Sequence, residues 1–127
     1  MPLIKPRPVM DVDFSASTSS IGATPVAGTT IATVSGFVQR VVAGAAGTTT
    51  GTIAVAVSIN NGSDITGGGL TIAAGSNSRA GSVMEFAMTG SSSGVFVNEG
   101  DVIVFTPSGG GGASIPGAFA LVVRSIT

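Results

Sequence analysis

Residues 51 to 59, GTIAVAVSI, alternate without a break. Ile53, Val55, Val57 and Ile59 fall on one side, and Thr52, Ala54, Ala56 and Ser58 on the other. A period of two belongs to a strand with one buried face. The same rhythm recurs along the chain. TIATVSGFVQRVVA (30 to 43) predicts one or two strands broken near Gly36, and LTIAA, SVMEFAM, GVFVNEGDVIVFTP and GAFALVVRSI predict the rest. Turn chemistry separates them: Asn61-Gly62 tolerates positive φ at both positions, and NEGD at 98 to 101 splits the long segment before it. No window carries a helical period. About eight short strands separated by Gly/Ser turns predict an all-β fold, an antiparallel β-sandwich of the jelly-roll kind with one face of each sheet buried.

Residues 1–30 follow other rules. Pro2, Pro6 and Pro8 lock their own φ, and Pro6 and Pro8 push Lys5 and Arg7 into extended conformations, so the first nine residues predict an extended arm. VMDVDF then alternates, with Met10, Val12 and Phe14 on one parity and Asp11 and Asp13 on the other: a short strand able to pair with another surface. SASTSSIGATPVAGTT is small, polar and punctuated by Gly and Pro, as a linker is. The expected organisation is an arm and linker over 1–30 and a sandwich domain over 31–127.

Composition narrows the function more by exclusion than by assignment. The 127 residues hold no Cys and no His, so thiolate metal sites, disulfides and His-based triads are out. A formal charge of −1 leaves no basic footprint for nucleic acid, and the absence of Trp and Tyr leaves only Phe as a stacking platform. Apolar runs such as FALVV are far too short to span a bilayer as a helix, and MPLIKPRPV has no apolar signal-peptide core, so a soluble protein without membrane contact is expected. Charged residues make up only 9% of the chain. An independent soluble domain exposes about 25–35% charge on its surface, so this surface suits contact with neighbours in an assembly.

Individual constellations resolve into ordinary chemistry. Asp11 and Asp13 supply two carboxylates on one strand face, short of the six to eight oxygens of a calcium site. Glu99 and Asp101 flank Gly100 in a turn, where acidic residues satisfy their own backbone. SGGGGAS (108 to 114) lacks the Lys and helix of a phosphate loop and predicts a loop at a sandwich tip. Arg40 sits on the apolar parity of Val34, Val38 and Val42; it either ends that row or reaches Glu85, Glu99 or Asp101, within the subunit or across an interface.

The segment from residue 37 onward, FVQRVVAGAAGTTTGTIAVAVSINNGSDITGGGLTIAAGS…VNEGDVIVFTPSGG…GAFALVVRSI, resembles small structural proteins of tailed bacteriophages, in particular head decoration (cement) proteins, over about 90 of the 127 residues. The shared pattern is an alternating strand ending at an Asn-Gly turn, a Gly-rich TGG segment leading into TI, then GDVI and a terminal apolar strand. That resemblance implies a β-sandwich, in a homotrimer seated on the outer surface of the capsid, binding the major capsid protein through an N-terminal arm. It implies no enzyme activity and no cofactor, and a place in the virion after synthesis in the host cytoplasm. Leu3, Ile4, Lys5, Arg7, Val9, Met10, Val12 and Phe14 are then the expected capsid contacts. The rival reading is the trimeric head of a phage fibre or spike, binding a receptor or glycan through loops at 66–69, 89–94 and 108–117. A small hydrolase built on the unpaired carboxylates is a third.

Overall fold

The computed structural model describes residues 11–60, 62, 65, 69–76, 79–83, 95–109, 111 and 113–125. Among them are eleven strands and no helix: β1 (Asp11–Thr18), β2 (Gly28–Ile31), β3 (Gly36–Ala45), β4 (Thr48–Thr49), β5 (Ile53–Ile59), β6 (Leu70–Ile72), β7 (Gly75–Ser76), β8 (Arg79–Val83), β9 (Phe96–Val97), β10 (Val102–Ser108) and β11 (Gly117–Ser125). Nine of these build two antiparallel sheets, close to the eight strands expected. The front sheet runs β1-β11-β3-β8, with β9 also on β3; the back sheet runs β2-β10-β5-β6; β4 and β7 form a small ribbon. First strand lies beside last, and second beside second-last, so the chain folds as a jelly roll in which consecutive strands mostly change sheet.

The alternation read from the sequence becomes the core. Ile53, Val55 and Val57 of β5 face Phe14 of β1, Val38 and Val41 of β3 and Leu121 and Val123 of β11 across the sandwich, all buried. Phe105 of β10 and Phe119 of β11 stack between the sheets, ring centroids 5.1 Å apart and planes within 5°. Gly28 lets the sheets close on one side. A Cβ there would meet the Phe119 ring at 2.9 Å and Ala16 Cβ at 3.2 Å, so β2 lies directly against the end of β1. Pro107 breaks no ladder, because β2 covers only Val102 to Phe105 and β10 has one neighbour at residue 107.

Two expectations about residues 11–30 change. The strand begun in VMDVDF forms, but it pairs with the subunit's own last strand, from Asp11 opposite Arg124 to Thr18 opposite Gly117. The polar stretch after it is packed and not a loose linker. Ile21 is fully buried, its amide donates to the Ile115 carbonyl at 2.7 Å, and the Ser20 hydroxyl donates to the Ala23 carbonyl. One buried isoleucine anchors a segment whose composition reads as connector.

A β-bulge corrects the parity of β3. Val123 pairs with Val38 and Val122 with Arg40, which leaves Gln39 as the extra residue. An inserted residue flips every side chain beyond it. Val38 therefore points inward, but so do Val41 and Ala43, while Arg40 and Val42 turn to the outside. Arg40 parts from Val38 and shares the outer face with Val42.

Candidate interaction surface

The middle of the outer face of the front sheet is made of small and apolar side chains, with polar and charged ones around it. On β11 the outward parity reads Ala118, Ala120, Val122 and Arg124; on β3 beyond the bulge it reads Arg40, Val42 and Gly44; on β1 it reads Asp11, Asp13, Ser15 and Ser17. Val42 is 37% exposed. A shallow depression of about 430 Å³ with almost wholly apolar walls lies here, lined by Ser15, Val42, Ala43, Gly44, Arg79, Ala118, Phe119 and Ala120. At one end the Phe37 and Phe96 rings meet edge to face at 5.0 Å, and Phe96 stays 37% exposed. The back sheet carries a smaller apolar pair, Ile31 opposite Val102, exposed by 54% and 40%.

Charges frame the front face. Asp11 and Arg124 are cross-strand partners, and the Arg124 Nε donates to Asp11 Oδ1 at 3.1 Å in a half-exposed ion pair. Asp13, Val122 and Arg40 occupy one row across β1, β11 and β3, with Asp13 and Arg40 both exposed and two strands apart. Among the described residues, neither has an ion-pair partner. The sequence signal for this surface was present in GAFALVV, where alanines fill the outward parity of the strand, but a glycine- and alanine-rich chain makes that signal easy to overlook.

The expected inter-subunit charges resolve differently one by one. Asp101 is committed inside its own subunit: Asn60 Nδ2 donates to its Oδ1 at 2.7 Å and the Asn98 amide to its Oδ2 at 2.8 Å. Asn60, at φ 52°, completes the clasp by accepting the Val102 amide at 2.8 Å, which joins the turn after β5 to the NEGD turn. Each carboxylate oxygen of Asp101 thus already accepts one hydrogen bond inside the subunit. Glu99 is exposed; its backbone amide donates to Ser35 Oγ at 2.9 Å. Arg40 reaches neither of these acids, and Glu85 lies outside the described residues, as do Leu3, Ile4, Lys5, Arg7, Val9 and Met10. Phe14, expected to meet a capsid, is 3% exposed within the subunit's own core, and Val12 packs partly against it. Inward parity on β1 means inward to this sandwich, so Phe14 is unavailable to a partner.

Among the described residues, no three acidic side chains cluster as a metal cage requires. The glycine loop after β10 turns through Gly109 (φ 87°) and Gly111 (φ 57°) and folds against Thr52 and Thr50. Of the loops proposed for receptor binding, 66–68 and 89–94 lie outside the described residues.

No protein-family model matches the chain, and no curated protein matches it. Solved structures do. A chain in the acidic stable capsid structure of Helicobacter pylori bacteriophage KHP30 superposes with a TM-score of 0.55 at 12% identity, over 92% of this chain and 89% of that one. A chain of the Macrobrachium rosenbergii extra small virus particle superposes more loosely, with a TM-score of 0.35 at 11% identity, over 96% and 85% of the two chains. With the first, this protein shares a fold over nearly its whole length.

Proposed function

We propose that this protein is a non-enzymatic structural component of a virus particle: a decoration (cement) protein that binds the outer surface of a phage head and bridges neighbouring capsid subunits. The observation that carries the reading is the fold likeness, across 92% of the chain, to a chain of a phage capsid. The low charge and the alanine-lined outer sheet face support it, since both suit a molecule covered by neighbours. The mechanism is added interface. A protein that binds the assembled shell and not its separated subunits stabilises the shell by mass action, about 2.7 kcal/mol per site at a hundredfold excess over Kd.

In this reading the capsid contact belongs to the segment before β1, through Leu3, Ile4, Lys5, Arg7, Val9 and Met10, with Val12 at its margin. Ten extended residues reach at most about 36 Å, enough to cross onto an adjacent subunit. The protein acts as a homotrimer, in keeping with the closed symmetry usual for such assemblies.

The test is the copy number of this chain relative to the major capsid protein, by quantitative mass spectrometry of purified virions. A ratio near one to one is expected. A handful of copies per particle would move the assignment to a fibre or spike head, and complete absence would refute a virion role.

A further inference from the structure

The outer face of the front sheet has a charge polarity that its apolar centre makes meaningful. Asp13 stands on the β1 side and Arg40 on the β3 side of a single cross-strand row, with Val122 between them. At the inter-strand spacing the two lie roughly 10 Å apart, too far to pair with each other. Val122 between them is already nearly covered, at 5% exposed, while beside them the surface is Ala118, Ala120 and Val42, small enough for another sheet to approach closely. Arg79, farther along the same basic side, adds to the polarity.

We infer that this face is the contact between copies of this chain, with Asp13 of one copy paired to Arg40 of the next around a rotation axis parallel to β11. Such an axis, passing in front of Ala120, carries the acidic β1 side of each copy onto the basic β3 side of its neighbour. Each copy then gives one acid and receives one base, and no like charges meet. An axis perpendicular to the strands would set Asp13 against Asp13 and Arg40 against Arg40. The polarity therefore selects the direction of the axis as well as the occupant. Alanines on β11 let the strands nearest the axis pack tightly, and the ion pairs form a polar rim around an apolar centre. The inference deepens the homotrimer of the proposed function, with three Asp13–Arg40 pairs closing the ring, but it does not depend on capsid binding.

The experiment uses the full chain free in solution, with mass measured by sedimentation velocity and light scattering over a concentration series. Wild type is expected to associate. Asp13→Arg and Arg40→Asp singly should each weaken association at least about tenfold, and the double swap D13R/R40D should restore it, because the pairing is reciprocal. Circular dichroism melts at low concentration confirm that each variant folds; both side chains are exposed, so the core is untouched. Glu85→Gln is expected to leave association unchanged. Wild type that stays monomeric at about 100 μM, single swaps without effect, or a double swap that fails to rescue would overturn the inference. So would dissociation by Glu85→Gln, which would give Arg40 a different partner. If the free protein is monomeric and Ala120→Arg abolishes capsid loading, the face belongs to the capsid subunit and the inference fails while the proposed function stands. If association behaves as expected and the chain is missing from virions, the reverse holds.

Discussion

Removing the ring of Phe105 should cost more stability than any surface change in this protein. Phe105 is fully buried, and its ring stacks on Phe119 across the two sheets at 5.1 Å. Truncation to alanine removes both a buried apolar surface and the joint between the sheets, and buried Phe→Ala changes cost about 3–5 kcal/mol. A domain of this size is stable by about 5–15 kcal/mol, so F105A should remain folded but marginal. The stack can be separated from simple burial. Phe105→Leu keeps most of the apolar volume and should cost about 1.5 kcal/mol. A double-mutant cycle with Phe119→Leu should show a coupling of about 0.5–1.5 kcal/mol, the part due to ring geometry. Urea unfolding followed by circular dichroism is the assay, run at low protein concentration so that association does not contribute. With an m-value of about 2 kcal/mol/M, F105A should lower the midpoint by roughly 2 M. A shift below about 0.5 M, or a coupling of zero between two costly single variants, would refute the packing of β10 on β11 through these rings.

Asp101→Ala should cost about 1–2 kcal/mol by urea unfolding, since it releases Asn60 Nδ2 and the Asn98 amide together, and Asn60→Ala on that background should cost less than it does alone, losing only the bond from the Val102 amide. Gly36→Ala should destabilise by about 3 kcal/mol or prevent folding, because its Cβ would lie 2.0 Å from the Arg124 carbonyl oxygen in the neighbouring strand; a normal melting temperature would contradict the β3–β11 register. Asp11→Asn should change stability by no more than about 0.5 kcal/mol, as its ion pair with Arg124 is half-exposed and screened. Deleting residues 1–10 should leave the melting transition in place and abolish capsid binding in a loading assay. Deleting 1–14 instead should also weaken the fold, because it removes Phe14 and half of β1.

Much of this fold is local in origin and was legible residue by residue. Ile53, Val55 and Val57 alternate in the sequence and are buried in the structure; the break near Gly36, the turn at NEGD and the terminal strand GAFALVVRS all lie where the pattern put them. The missing chemistries were legible too, because no arrangement of this chain can supply a thiolate or an imidazole. Partnership was not legible. Asp11 meets Arg124 across 113 residues, and Asn60 meets Asp101 across 41, through pairings that depend on strand order alone. A single unpaired Gln39 turned Arg40 from an apparent core row to the surface, and the pairing of β1 with β11 turned Phe14 from a candidate contact into core. Period and turn chemistry act between neighbours in the chain, so the sequence alone determined which segments are strands and which side of each is apolar. Register, bulges and the juxtaposition of Asp13 with Arg40 arise only when distant strands are laid side by side, and those the tertiary structure decided.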